Sequence, residues 1–232
     1  MDTKTAVFQF EIRYNHILSF SQIARKVLSP YVRLAKSIRV ENQNTVEERI
    51  ILNFEEDDYL IIVCWDRILI KGQGDMNTYT TKNSSIETPF LNILDKIKEL
   101  NEFGSIQNML LAVNYIKKQN IEKEMLVEQF VSKTVNDGVS KLLENNTDVA
   151  ITLENKKEGE ETSISFGPYF GTNELKKRQI IPVNIDKLEG TDFLGTLLEY
   201  RHFKTTKEVV FNDFVEMVKI SNEIKNKVWK TL

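Results

Sequence analysis

Arg49-Ile50-Ile51-Leu52-Asn53-Phe54, Glu55-Glu56-Asp57-Asp58, Tyr59-Leu60-Ile61-Ile62-Val63-Cys64-Trp65: two apolar runs rich in β-branched and aromatic residues flank four consecutive acids. Such runs suit strands, because branched side chains pack well on a pleated surface. Four adjacent carboxylates cannot be buried without partners, so they mark a solvated turn. The stretch therefore predicts a β-hairpin with an acidic tip. A second copy of the pattern follows further on, where Val149-Ala150-Ile151-Thr152-Leu153 leads through Glu158-Gly159-Glu160-Glu161 into Thr162-Ser163-Ile164-Ser165-Phe166.

Outward from each hairpin the two halves keep the same order. Phe10-Glu11-Ile12-Arg13-Tyr14 and, more loosely, Leu111-Ala112-Val113-Asn114-Tyr115 alternate as half-buried strands require. A helix follows each. The first is predicted from Ser19, with Gln22 completing a capping box and Phe20, Ile23, Val27, Tyr31, Ala35 and Ile38 as its apolar stripe. The second is predicted from Asn120, with Glu122 and Glu124 in its first turn and Leu126 or Val127, Val131, Val135, Val139 and Leu142 as its stripe. Closing helices align Pro89-Phe90-Leu91-Asn92-Ile93-Leu94 with Asp213-Phe214-Val215-Glu216-Met217-Val218. The last helix carries Phe214, Val218, Ser221, Ile224 and Val228 on one face.

The expected fold is α+β with two repeated halves, residues 1–104 and 105–232. Each half is a strand, a helix, antiparallel strands and a closing helix, forming a curved sheet with its helices on one face. The offset between matching positions widens toward the C-terminus, which places an insertion around 154–196 in the second half. Gly72 to Thr88 reads as a long loop with room for one short strand at Thr78–Thr81, and Gly104 as the C-cap after the first closing helix.

Composition narrows the function. A chain of 232 residues with 41% hydrophobic and 28% charged residues has what a globular core needs. A lone cysteine, Cys64, excludes an internal disulfide, and two histidines, His16 and His202, are too few for a zinc site of nitrogen and sulfur ligands. The acids of the hairpin tip lack the glycine and ligand order of a calcium loop. Gly72-Gln73-Gly74 lacks the rest of a phosphate loop. No apolar run approaches a membrane span and no signal peptide precedes the first strand, so a cytoplasmic location is expected. The expected inventory is no cofactor, no metal and no catalytic set. A net charge of −3 and a pI near 5.6 argue against a dedicated nucleic-acid binder, since a phosphate-binding face shows as a basic excess.

Two clusters stand out. Phe166-Gly167-Pro168-Tyr169-Phe170-Gly171 precedes Lys176-Lys177-Arg178 inside the inserted segment. Tyr169, Phe170, Lys176, Lys177 and Arg178 are the expected partner-binding residues, aromatic anchors beside a positive patch. The alternative is a turn whose aromatics fold into the core. Glu199-Tyr200-Arg201-His202-Phe203-Lys204 lies at the end of the last strand. A single histidine there, like His16, fits a satisfied or surface residue better than a catalyst.

The opening Phe8-Gln9-Phe10-Glu11-Ile12-Arg13-Tyr14 resembles the start of a sporadically distributed bacterial family of uncharacterised proteins. So does the run from Leu198-Glu199-Tyr200-Arg201 through Phe214, Val218 and Ile224 to Trp229. The resemblance implies a cytoplasmic protein of the kind carried on mobile or defence-related gene islands, and it supplies no catalytic residues. The element order is also similar to the tandem saddle of the TATA-binding-protein fold, although function does not follow from fold. The expected function is a non-enzymatic binding protein acting on a macromolecular partner, as an accessory, inhibitor or antitoxin-like component of phage defence or toxin conflict. Another protein is the expected partner, and a homodimer is compatible with it. Alternatives are a nucleic-acid-binding saddle and a small-molecule binder in the cleft between the halves.

Overall fold

The computed structural model describes residues 3–54, 58–141, 147–178, 180, 183–184 and 190–232. The chain is α+β. Strands β1 (Thr3–Tyr14), β2 (Ser37–Glu41), β3 (Arg49–Phe54), β4 (Tyr59–Cys64), β5 (Arg67–Gly72), β6 (Ile106–Lys118), β7 (Ile151–Lys157), β8 (Glu160–Phe170) and β9 (Leu194–Thr205) form one nine-stranded sheet in the order β2-β3-β4-β5-β1-β6-β9-β8-β7. Every pairing is antiparallel. The two curved sheets expected for the two halves are thus one. β1 and β6 pair at the centre, Phe10 opposite Leu111, and a hydrogen-bonded ladder stands where a cleft between the halves was expected. On either side, each opening strand pairs with the last strand of its own meander, β1 with β5 and β6 with β9.

Alternation decides which side is covered. Phe8, Phe10 and Ile12 of β1, Met109, Leu111, Val113 and Tyr115 of β6, and Leu198 and Tyr200 of β9 are buried in one cluster. Against them pack α1 (Phe20–Leu28), α2 (Met76–Tyr79), α3 (Asn92–Lys98), α4 (Lys123–Thr134) and the long C-terminal helix α7 (Phe211–Thr231). The stripe of α7 is buried at Phe214, Met217, Val218, Ser221 and Val228 and half-buried at Ile224. Asp213 opens this helix by accepting the Val210 N–H at 2.8 Å. Phe214 lies against the Phe10 ring at 5.0 Å between centroids and the Phe8 ring at 6.3 Å, so it pins α7 to the central strand. The Tyr115 hydroxyl meets Ser221 Oγ at 2.8 Å, which satisfies both groups in the core.

Several local expectations change. α1 ends at Leu28 and tightens into a 3-10 turn over Ser29–Tyr31, because Pro30 has no N–H to continue the helical bonding. Ile38 belongs to β2, paired with Leu52, rather than to the helical stripe. Ser19 makes no capping bond, and its hydroxyl bonds Glu102 instead. α4 begins at Lys123 and stops at Thr134, where Val135 is extended. Asn136 then caps a short α5 (Asp137–Ser140) by accepting the Val139 N–H, which leaves Val139 exposed. Leu142, the end of the expected stripe, lies outside the described residues, as do Glu55, Glu56 and Asp57 of the first acidic tip. The strand expected at Thr78–Thr81 is replaced by α2, whose N-cap Asp75 accepts from the Asn77 N–H. α3 is capped at Glu99, so Gly104 lies in the following loop and caps nothing.

Phe214→Ala removes the ring that joins α7 to β1. The expected loss is about 3–5 kcal/mol, read as a lower denaturant midpoint with an unchanged slope.

Candidate functional site

The sheet's other face is where chemistry-bearing side chains collect. Positions alternate with the core residues, so β1 places Gln9, Glu11 and Arg13 there, β5 places Arg67, Leu69 and Lys71, and β3 and β4 add Arg49, Ile51, Ile62 and Cys64. β6 contributes Leu110, Ala112 and Asn114, and β9 contributes Glu199, Arg201 and Phe203. No described helix covers this central area. A basin of about 730 Å³ runs over Glu11, Arg49, Cys64, Arg67 and Lys71, walled by Asn42 and Val46–Glu48. It continues through Gln9 and Lys71 into a smaller hollow of about 150 Å³ over Ala112, Asn114, Glu199 and Arg201.

The charges of this trough are sorted. The Glu11 carboxylate is nearly buried, with 4% of its side chain exposed. It accepts from Arg13 Nε at 2.6 Å and Gln9 Nε2 at 3.0 Å, and Arg67 stands 3.6 Å away. Two cations and an amide therefore offset its desolvation. Glu41 holds Arg39 at 2.7 Å and Arg49 at 2.5 Å, and Glu199 holds Arg178 at 2.9 Å. Lys71 and Arg201 have no hydrogen bond or ion pair among the described residues. Burial pulls the Lys71 ammonium below the usual lysine range, Arg49 adds to the effect, and Glu11 opposes it.

Described residues that follow β8 form one end of this trough. α6 (Thr172–Lys177) and Ile180 cover the part of the face where strand residues turn apolar, at Ala6, Val7, Ile116 and Leu197. That overturns half of the expected partner site. Tyr169 is fully buried, donates its hydroxyl to the Thr191 carbonyl at 3.1 Å and packs edge-on to Phe193. Burial pushes its phenol up to about 12. It belongs to the second apolar cluster because its neighbours are the apolar residues of β6 and β9. Phe170 is half-buried, with the Lys123 ammonium 5.3 Å from its ring centroid. Arg178 is committed to Glu174 and Glu199, and serves as a wall of the hollow. Only Lys176 and Lys177 are exposed, the latter 3.9 Å from Glu174. The five residues do not form one anchor patch.

Other cavities offer less. The one of about 370 Å³ beyond the end of the β1–β6 ladder contains Lys4, Asp75 and Lys225. Those groups are engaged: Lys4 with the Gly190 carbonyl, Asp75 with the α2 N-terminus, and Lys225 with Asn222 and the Tyr115 ring. The groove of about 480 Å³ beside α7 is lined by Leu153, Ile164, Ile220, Ile224 and Val228 with His202 at its base. Burial lowers the His202 pKa, Lys204 adds to the effect and Glu160 opposes it. His16 is exposed and stacks on Trp65 at 4.0 Å. Among the described residues neither histidine is hydrogen-bonded to a nucleophile. Among the described residues no group of three or more His, Cys, Asp or Glu could hold a metal ion, and no helix is long and apolar enough to cross a membrane.

Protein-family models and curated proteins were compared with the chain, and none matches. The trough therefore has to be interpreted from its own geometry. Sequence alone drew attention to the segment that contains Arg201 but did not group Arg201 with Gln9, Glu11 and Lys71. The signal lay in the charged members of apolar strands, such as Lys71 after Ile68-Leu69-Ile70, but their grouping depends on strand order.

Two outcomes test this placement. Tyr169→Ala is expected to destabilise the fold by about 3–5 kcal/mol and Tyr169→Phe by about 1 kcal/mol, measured by chemical denaturation. In the trough, burial pushes the Cys64 thiol up to about 11, with Arg67 acting in the opposite direction. Its alkylation by iodoacetamide at mildly alkaline pH should run about a hundredfold slower in the folded protein than in the unfolded chain, and the gap should close as pH rises toward that value.

Proposed function

We propose that the protein is a non-enzymatic binding protein that acts through a macromolecular partner, another protein, docked on the open central part of the sheet's second face. One observation carries this reading. An open, concave area at the centre of the sheet holds a rigid set of paired charges and two unpaired cations. Paired charges fix geometry, while the unpaired ones remain available to a ligand. The trough contains a protonated thiol and no histidine, so it offers no activated nucleophile and general base of the kind acyl or phosphoryl transfer needs.

The family resemblance supplies a setting: a cytoplasmic accessory, inhibitor or antitoxin-like component of phage defence or toxin conflict. The lone cysteine fits a reducing compartment. The matched positions of β1 with β6, β5 with β9, and the β3–β4 hairpin with the β7–β8 hairpin support reading residues 1–104 and 105–232 as diverged copies. On that reading β2 is an addition to the first copy and residues 171–193 an addition to the second. A nucleic-acid saddle is the weaker alternative. The cations on the face favour it, but Glu11, Glu41 and Glu199 lie among them and would repel phosphates.

The test uses a block without a charge change. Ala112 is half-exposed on the floor of the trough, so Ala112→Trp fills it, whereas Lys219→Glu alters the outer side of α7. With the partner captured from the native cell, identified and purified, Ala112→Trp is expected to weaken its binding at least about tenfold and Lys219→Glu to leave it within about twofold. The reverse pattern, or substrate turnover that Ala112→Trp abolishes, overturns the reading.

A further inference from the structure

The register of four strands places Lys71 and Arg201 in one cross-strand row. Lys71 lies opposite Gln9, Gln9 opposite Ala112, and Ala112 opposite Arg201. Three strand spacings separate the two cations, about 14 Å. Between them lie a neutral amide and a methyl group, the lowest point of the hollow, with the Asn114 amide alongside. We infer that this row is a receptor for an extended acidic segment of a partner protein, in which two carboxylates about four residues apart engage Lys71 and Arg201.

The inference rests on the proposed function and adds the chemistry of the partner. Four features select a pair of isolated carboxylates. First, the row's own cations are the unpaired ones, while Arg13 and Arg67 are held by Glu11, Arg49 by Glu41, and Arg178 by Glu174 and Glu199. Second, Lys71 is disfavoured as a cation by burial and by Arg49, and the charge of an incoming carboxylate offsets both. Third, the side-chain amides of Gln9 and Asn114 face the ligand's path and suit a peptide backbone. Fourth, Glu11 and Glu199 flank the row at the neighbouring register positions. A single nucleic-acid strand carries a charge on every nucleotide and would bring some of them against these carboxylates, whereas two separated acids avoid both.

The test uses a fluorescent peptide of small polar residues carrying two glutamates about four residues apart. Its double-glutamine counterpart and an oligothymidylate of equal length are measured beside it. Anisotropy titrations are expected to show salt-sensitive binding of the glutamate peptide only. Combining Lys71→Gln with Arg201→Gln should weaken that binding at least about tenfold while the melting temperature stays within about 2 °C. A peptide with lysines in place of the glutamates should bind the protein carrying Lys71→Glu and Arg201→Glu. No binding of the glutamate peptide, or binding unaffected by the double glutamine variant, overturns the inference. Tighter binding of the oligothymidylate through the same two residues also overturns it and assigns the row to nucleic acid. If Ala112→Trp releases the native partner while the double glutamine variant retains it, the face is the docking surface and only the carboxylate assignment falls.

Discussion

The ladder between Thr3–Tyr14 and Ile106–Lys118 is the contact on which the rest of the molecule depends. It joins two strands far apart in sequence, and each already carries its own meander on its outer side. A slip of one residue would turn Phe8, Phe10 and Ile12 away from the helices and bring Gln9, Glu11 and Arg13 into the core. The apolar side chains of both strands therefore fix one register. That register fixes everything aligned across it, including the row from Lys71 to Arg201. Phe214 adds a second constraint by resting on Phe8 and Phe10, so the C-terminal helix reports on the alignment of the N-terminal strand.

The same two strands explain why one face is covered and the other is open. Helices cover the side on which β1 and β6 present Phe, Ile, Met, Leu and Val. They stay off the side carrying Glu11, Arg13 and Lys71, because covering those charges with apolar surface would cost more than the contact returns. Where the second face becomes apolar, at Val7, Ile116 and Leu197, the segment containing Tyr169, Leu175 and Ile180 folds over it. The limit of the open area is thus set by a change of residue character along β1 and β6. Among the described residues that follow β8, α6 and Ile180 lie on the sheet. They seal one end of it, and Arg178 closes the hollow.

Within the open area a hierarchy of charges follows from burial. Glu11 is stabilised as an anion only with its cations in place, so Arg13 and Arg67 are structural and poorly suited to exchange one partner for another. Lys71 and Arg201 have no such commitment. On the proposed binding function, a surface made this way would keep its shape without a ligand and reserve a small part of its charge for the partner, which would limit the ordering cost of binding. On the same proposal the flanking carboxylates would act as a filter against closely spaced negative charges.

Much of the fold was legible because it depends on local alternation. The two hairpins, both opening strands and the buried stripe of α7 are written in residues that are neighbours in sequence or one helical turn apart. Residues that break local structure were harder to weigh. Pro30 shortened α1, Asp75 converted an expected strand into α2, and Ser19 found Glu102 across the chain instead of its own helix. The site was legible only in part. Sequence alone showed an aromatic–basic cluster at Tyr169 to Arg178, but nothing local distinguishes an anchor from a core tyrosine. That depends on what Tyr169 meets, and it meets Phe193 and the Thr191 carbonyl. The sequence by itself determined the opening strands, the two hairpins and the last helix, and which of their faces are apolar. Tertiary structure alone decided that the two halves share one sheet and that Lys71 and Arg201 fall in one row, because cross-strand neighbours are set by pairing between distant segments.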